Sequence, residues 1–222
     1  MQLPLLRVDG PDSIDLVPSK IIGIGQNYRA HAAEMGKGIP EEPLMFLKPR
    51  TSMIADGATI ERPGGYERVD YEGELGVVIG KLASRVSRAT ALDYVLGFVC
   101  VNDVTVRDLQ KKDVQFTRAK GFDTFCPIGP RIVAGLDPTN LRIQTRVNGV
   151  VKQDSSTSDM IFDVATLIAF CSEHMTLEVG DVISTGTPAG VGNLTPGDVV
   201  EVDIEGIGVL KNHVVARATT SR

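Results

Sequence analysis

The sequence predicts an α+β protein with a largely β core. Three observations carry that reading. Strand-like and helix-like segments alternate, but not in the regular βαβ order that builds a parallel sheet. Gly 23 and Pro 12 among 222 residues imply many turns. Asn148-Gly149 divides the alternating stretch "LRIQTRVNGVVKQD", a strong hairpin signal.

The elements follow in order. "KIIGIG" (Lys20–Gly25) is a short β-branched strand. "NYRAHAAEMG" then carries helix formers and ends on glycine, which predicts a short helix. "EEPLMFLKP" returns to an extended run closed by Pro49, and Thr51–Arg68 reads as loop. "VDYEGELGVVIG" (Val69–Gly80) reads as one buried strand. "SRATALDYV" predicts a helix with Ser87 at its N-cap, and "VLGFVCVND" a buried strand. "VTVRDLQKKD" reads as a helix despite its β-branched start. "SDMIFDVATLIAFCSEHM" has the best helical spacing of apolar residues in the chain. "LEVGDVIST" and "LTPGDVVEV" each set a Gly-Asp turn before a strand, and read as two β-units meeting in one sheet. No linker or low-complexity stretch divides residues 20–222; residues 1–19 form a short N-terminal segment.

Composition excludes several function classes. Net charge is −5 with no Lys/Arg run, which argues against nucleic acid as a partner. Cys100, Cys126 and Cys171 are scattered and odd in number, which favours neither a disulfide framework nor a zinc site and points to a reducing, cytoplasmic setting. No apolar run reaches the ~18 residues of a membrane span. "MQLPLLRVDG" lacks the basic start and long apolar core of a signal peptide.

Chemistry concentrates in a few places. Glu72 and Glu74 are two apart, so on a strand they share one face. With Asp103, at the end of "GFVCVND", they make an all-oxygen set that suits Mg²⁺ or Mn²⁺. The alternative is a solvated face of an edge strand. Asp103, Arg107 and Gln110 are spaced i, i+4, i+7, so on a helix they align to meet a metal and an anionic ligand, or simply face water. Lys120 lies in the turn-rich "TRAKGFDTFCP", where a lysine is usually solvated. His31 and Glu34 can touch on one helix, as an exposed pair or as a proton-handling dyad. His174 and His213 read as structural or solvated. "STGTPAGVG" is either a bare tight turn or a carboxylate-binding one, through its N–H groups and the Thr187 hydroxyl. It lacks the spacing and lysine of a nucleotide-binding P-loop.

Taken together, "GIGQNYRAHAAEMG", "EEPLMFLKP", "DYEGELGVVIG", "VCVNDVTVRDLQ", "AKGFDTFCPIGP", "RVNGVVKQDSSTSDMIF" and "LEVGDVISTGTPAGVG" resemble the fumarylacetoacetate hydrolase superfamily from about Lys20 to the C-terminus. The resemblance implies a mixed β-roll or sandwich with few short helices, normally a homodimer. It implies Glu72, Glu74 and Asp103 as ligands of Mg²⁺ or Mn²⁺. Arg107, Gln110 and Lys120 become substrate-binding and catalytic, and His31 and Glu34 a catalytic dyad on a mobile lid. Thr187 becomes a substrate-carboxylate ligand, with Tyr28 and Lys48 nearby. The lid "HAAEMGKGIPEEP" looks like that of small acylpyruvate hydrolases and oxaloacetate decarboxylases, whereas "FDTFCPIGP" looks like that of hydroxyheptadienedioate isomerases.

The implied activity is Mg²⁺-dependent C–C hydrolysis of an acylpyruvate-type 2-oxo acid through a stabilised enolate. Oxaloacetate decarboxylation and 2-hydroxyhepta-2,4-diene-1,7-dioate isomerisation are alternatives on the same site. A non-enzymatic, metal-dependent binder of 2-oxo acids is the alternative from another class, and a water-activating dyad argues against it.

Overall fold

The structure, a computed structural model, describes residues 17–36 and 38–218. All but the last three residues of the expected N-terminal segment therefore lie outside the described residues.

A seven-stranded sheet forms the centre. Its order is β2 (Leu44–Lys48), β1 (Ile21–Gly25), β12 (Val182–Ser184), β6 (Gly73–Ile79), β7 (Val95–Asn102), β9 (Cys126–Val133) and β3 (Met53–Ile54). A five-stranded sheet runs β11 (Val150–Ser156), β10 (Arg142–Val147), β14 (Val199–Ile204), β15 (Gly208–Ala216) and β4 (Thr59–Arg62). A small sheet joins β13 (Gly192–Asn193), β5 (Val69–Tyr71) and β8 (Thr105–Val106). The pairings β1–β12, β3–β9 and β4–β15 are parallel and the others antiparallel, so the mixed, strand-dominated architecture is as expected. Among the described residues, four short α-helices decorate it: α1 (Arg29–Glu34), α2 (Arg107–Lys112), α3 (Thr117–Lys120) and α4 (Val164–His174).

Neighbouring residues explain why the central strands are apolar without alternation. Ile22, Val77, Cys100 and Ile183 face one core, together with Leu167 and Ile168 of α4 and Ile143, Val202 and Leu210 of the five-stranded sheet. Ile21, Val78, Val99, Val101 and Val182 face a second core with Ile128 and Ile132. Both faces are covered, so the strand has no solvent side to make polar. The hairpin turn is as read: Asn148 and Gly149 both have positive φ, 52° and 77°.

Five expectations are corrected. Val69–Gly80 is not one strand. It breaks at Glu72, with β5 in the small sheet and β6 in the large one. Thr105 and Val106 pair with Val69 and Asp70 as β8, as their β-branched side chains favour, so the helix begins only at Arg107. Helix α4 begins at Val164, where Asp163 accepts the Thr166 N–H. Ile161 and Phe162 cannot join it, because their N–H groups donate to the backbone and side-chain oxygens of Asn27. "SRATALDYV" forms a 3₁₀ helix (Arg88–Tyr94), and Ser87, at its N-cap, meets the Thr90 hydroxyl rather than a backbone N–H. The "loop" 51–68 contains β3 and β4.

The two Gly-Asp units share a local device and not a sheet. Asp181 accepts the N–H of Glu178, and Asp198 that of Thr195, so each carboxylate closes its own turn. The strands that follow, β12 and β14, then enter different sheets.

Leu167, fully buried between α4 and the central sheet, tests this arrangement. Leu167→Ala should cost about 2–5 kcal/mol in urea unfolding followed by circular dichroism. Val114→Ala, at a side chain 98 % exposed, should stay within about 0.5 kcal/mol of the parent. Equal midpoints for the two variants would show that α4 is not part of the core.

Candidate metal and active site

The break at Glu72 creates the site. Glu72 sits between β5 and β6, Glu74 is the second residue of β6, and Asp103 follows β7. Register places Gly73 opposite Asn102, so the three acids converge. One carboxylate oxygen from each lies within 4.8 Å of the others. All three are buried, at 4 %, 1 % and 1 % exposure, which removes the solvated-face alternative. A side chain at Gly73 would not fit: its Cβ would lie 2.1 Å from Thr145 Oγ1. The Gly73 N–H donates to Gln153 Oε1 (3.0 Å), which pins the peptide between two of the acids.

Burial of this many carboxylates demands compensation. Arg107, the first residue of α2, donates to Asp70 (2.7 Å), Glu72 (2.5 Å) and Gln110 Oε1 (2.8 Å). Lys120 is not solvated. Its ammonium is buried and donates to Glu72 (2.9 Å), Asp103 (2.5 Å) and the Thr105 hydroxyl (2.8 Å). Desolvation pulls the Lys120 pKa down, but Asp103 and Glu72 outweigh it and hold the ammonium above its ordinary value. Lys48 donates to Asp103 (2.5 Å) and the Lys120 carbonyl (2.5 Å). Asp103 lies outside the helix, so the expected i, i+4, i+7 helical face is not what aligns it with Arg107 and Gln110. The β7–β8 corner does that.

Glu74 differs from its neighbours. It accepts from the Ser184 hydroxyl (2.5 Å) and the Gly186 N–H (2.9 Å), with no ion pair among the described residues. Burial, with Asp103 and Glu72 close by, pushes its carboxyl up to about 8. Glu72 goes the other way: burial opposes ionisation, but Lys120 and Arg107 hold it well below the usual carboxylate range. A buried all-oxygen triad with one member lacking positive charge fits a hard divalent cation, which would touch all three.

A cleft of about 360 Å³ opens onto this centre. Glu72, Glu74, Arg107, Gln110, Lys120, His31 and Thr187 line it, as do Gln26, Met35, Lys111 and Phe116. The last four were missed in the sequence. Gln26 has a left-handed φ of 57°, a strained choice for a side chain other than glycine, and nothing in the sequence flags it. His31 Nδ1 lies 3.0 Å from Glu34 Oε2. With the carboxylate accepting at Nδ1, the imidazole keeps Nε2 for the cleft. Glu34 in turn accepts from the Gly190 N–H (3.1 Å).

Three assignments change in detail. The glycine-rich turn does bind carboxylates, but the protein's own: Gly186 serves Glu74 and Gly190 serves Glu34. The Thr187 hydroxyl donates to the Gly73 carbonyl (2.9 Å) and accepts from Gln153 (2.8 Å), so it supports the triad while lining the cleft. Tyr28 and Lys48 do not line the cleft. Tyr28 is a core residue; burial, then Glu74 and Asp159, push its phenol far above the ordinary value. Lys48 stands behind Asp103. Asp70 and Ser184, unseen in the sequence, position Arg107 and Glu74.

A carboxylate triad at the broken edge of a mixed β-roll, walled by buried cations, defines a class of enzymes built for anionic oxygen ligands. The chain belongs to the fumarylacetoacetate hydrolase family: the family described as fumarylacetoacetate (FAA) hydrolase C-terminal matches residues 20–215. It is 46 % identical over 214 residues to the oxaloacetate tautomerase YisK of Bacillus subtilis, covering 89 % of this chain and 70 % of that one. It is 45 % identical over 203 residues to the 4-hydroxyphenylacetate degradation bifunctional isomerase/decarboxylase of Escherichia coli, covering 90 % of this chain and 47 % of that longer one. The crystal structure of 5-carboxymethyl-2-hydroxymuconate delta-isomerase from Mycobacterium smegmatis superposes with a TM-score of 0.87 at 48 % identity, covering 92 % of this chain and 82 % of that one.

The raised Glu74 carboxyl gives a pH signature. Its folded value lies above the ordinary 4.5, so the stability it contributes is full below 4.5 and is lost as pH rises through about 8. A divalent cation held by Glu72, Glu74 and Asp103 would replace the proton. The rise in Tm on adding Mg²⁺ should therefore widen from about pH 6 to about pH 8. Glu74→Gln, scanned without metal, should show a flatter Tm profile over this range. A metal-induced rise that does not grow with pH would contradict a triad-bound cation.

Proposed function

We propose that the protein is a Mg²⁺-dependent enzyme that enolises small 2-oxo acids, with tautomerisation, isomerisation or decarboxylation of dicarboxylic substrates ahead of acylpyruvate hydrolysis. The observation that carries it is one cleft joining Glu72 and Glu74 of the buried triad, the Arg107–Gln110–Lys120 wall and His31. The reordering from hydrolysis to enolisation draws its support from relatives at 45–48 % identity that are named for tautomerase, isomerase and decarboxylase activities.

A cation on Glu72, Glu74 and Asp103 would supply Lewis-acid stabilisation of negative charge growing on the 2-oxo oxygen. The chain's own residues do the rest. Arg107 and Lys120 add fixed positive charge in a dry setting, where it acts most strongly. Gln110, held by Arg107, presents its amide to the cleft. His31 Nε2 takes a proton from C3 of the 2-oxo acid, and a proton returned to the oxygen completes the enol tautomer. Where C4 is a carboxylate, the C3–C4 electrons instead pass into the enolate as CO₂ leaves, and C3 is protonated afterwards.

Hydrolysis is the second reading, favoured by the Glu34-oriented His31, which can equally deprotonate a water for attack on a C4 carbonyl. A panel of oxaloacetate, 2-hydroxyhepta-2,4-diene-1,7-dioate, acetylpyruvate and fumarylpyruvate with Mg²⁺ separates the readings. Tautomerisation or isomerisation should exceed acylpyruvate cleavage, and oxalate, which resembles the enolate, should inhibit competitively. His31→Ala should cost about 10²–10⁴-fold in proton transfer or hydrolysis and less in CO₂ loss. Glu72→Ala should abolish every activity. Faster acylpyruvate cleavage would favour the second reading, and no turnover on any member would sink both.

A further inference from the structure

Charge around the cleft is nearly, but not fully, used. Asp70, Glu72, Glu74 and Asp103 are buried beneath it with three buried cations, Lys48, Arg107 and Lys120. Arg68, which also reaches Asp70, is half exposed, and Glu34 at the rim is about one-third exposed; their opposite charges offset one another. A divalent cation on the triad would leave the buried centre with one surplus positive charge. A 2-oxo monocarboxylate cancels that surplus. A 2-oxo dicarboxylate brings a second negative charge that the buried centre cannot match.

One further cation faces the same space. Lys111 lines the cleft, follows Gln110 on α2 and is exposed. Arg107 and Lys120 on that wall both have carboxylate partners, whereas Lys111 has none among the described residues. The cleft also has room beyond a three-carbon acid: 360 Å³ corresponds to on the order of ten waters at about 30 Å³ each. A longer substrate held at the triad would extend its far end along the outer wall.

We infer that Lys111 is a specificity-determining residue that receives the distal carboxylate of a 2-oxo dicarboxylic substrate. It rests on the 2-oxo acid reading above and adds to it which end of the substrate is selected, and by which residue. Lys111 stabilises that carboxylate as an ion pair at the cleft mouth and takes no part in proton transfer. Its contribution is to binding, so it should be sensitive to salt.

The test compares two stable ligands of equal chain length, 2-oxoglutarate and 2-oxopentanoate, by titration calorimetry with Mg²⁺ present. The parent should prefer the dicarboxylate. Lys111→Ala should weaken 2-oxoglutarate by about 3- to 5-fold while moving 2-oxopentanoate less than about 2-fold. Lys111→Arg should keep the preference, and Lys111→Glu should reverse it. The preference of the parent, but not that of Lys111→Ala, should shrink at high salt. Unchanged folding of all three variants is checked by their Tm. If both ligands bind and the ratio is the same in the parent and Lys111→Ala, Lys111 is not the selector although the 2-oxo acid reading survives. If neither ligand binds the parent, both fall.

Discussion

The structure depends on the burial of four carboxylates in a protein interior. Asp70, Glu72, Glu74 and Asp103 are each 4 % exposed or less, and isolated ionised groups at such depth would be prohibitive. Each of the surrounding features answers that constraint. Arg107 bridges Asp70 and Glu72, Lys120 bridges Glu72 and Asp103, and Lys48 closes on Asp103 from behind. Only Glu74 is left with neutral donors, and it is the residue whose carboxyl is pushed up. The asymmetry fits the triad to a cation.

The scaffold serves this network through its backbone. The strand that would have run straight through Val69–Gly80 breaks so that Glu72 stands between two sheets. The break is held by hydrogen bonds from distant parts of the chain: the Glu72 N–H donates to Asn102 Oδ1 and the Gly73 N–H to Gln153 Oε1, while the Gly73 carbonyl accepts from Thr187. Gln153 belongs to the five-stranded sheet and Thr187 to the turn after β12. The two sheets are thereby locked at the site, and the same turn reaches Glu34 through Gly190, which connects the His31 helix to the triad.

What was legible in the sequence follows from locality. Strands buried on both faces announce themselves as apolar runs, and the Asn148-Gly149 turn is written in two adjacent residues. The triad was legible because Glu72 and Glu74 flank one glycine, although the strand assignment behind that reading was wrong in detail. Lys120 looked solvated because its burial is set by acids 48 and 17 residues away, which no local pattern records. Tyr28 and Lys48 come near the ligand only through the family resemblance; burial sets Tyr28 in the core, and Lys48 stands behind Asp103. The start of α4 was misread because the competing acceptor for Ile161 and Phe162 is Asn27, far off in the chain.

The same division bears on how the proposed chemistry could have more than one outcome. Asp70, Glu72 and Asp103 are compensated by Lys48, Arg107 and Lys120, so removing any one of these six leaves an unpaired buried charge and costs folding as well as chemistry. The centre is therefore poor material for changing substrate. The outer wall is under no such restraint: Lys111 is exposed, and neither it nor Gln26 has a buried ionic partner among the described residues. On the reading proposed above, enolate formation draws on the compensated centre and His31, whereas the fate of the enolate depends on what lies beyond C3 and on which groups meet it at the mouth of the cleft. A fold that fixes the first and leaves the second free can hold to one intermediate while the outcome varies among tautomerisation, isomerisation, decarboxylation and hydrolysis.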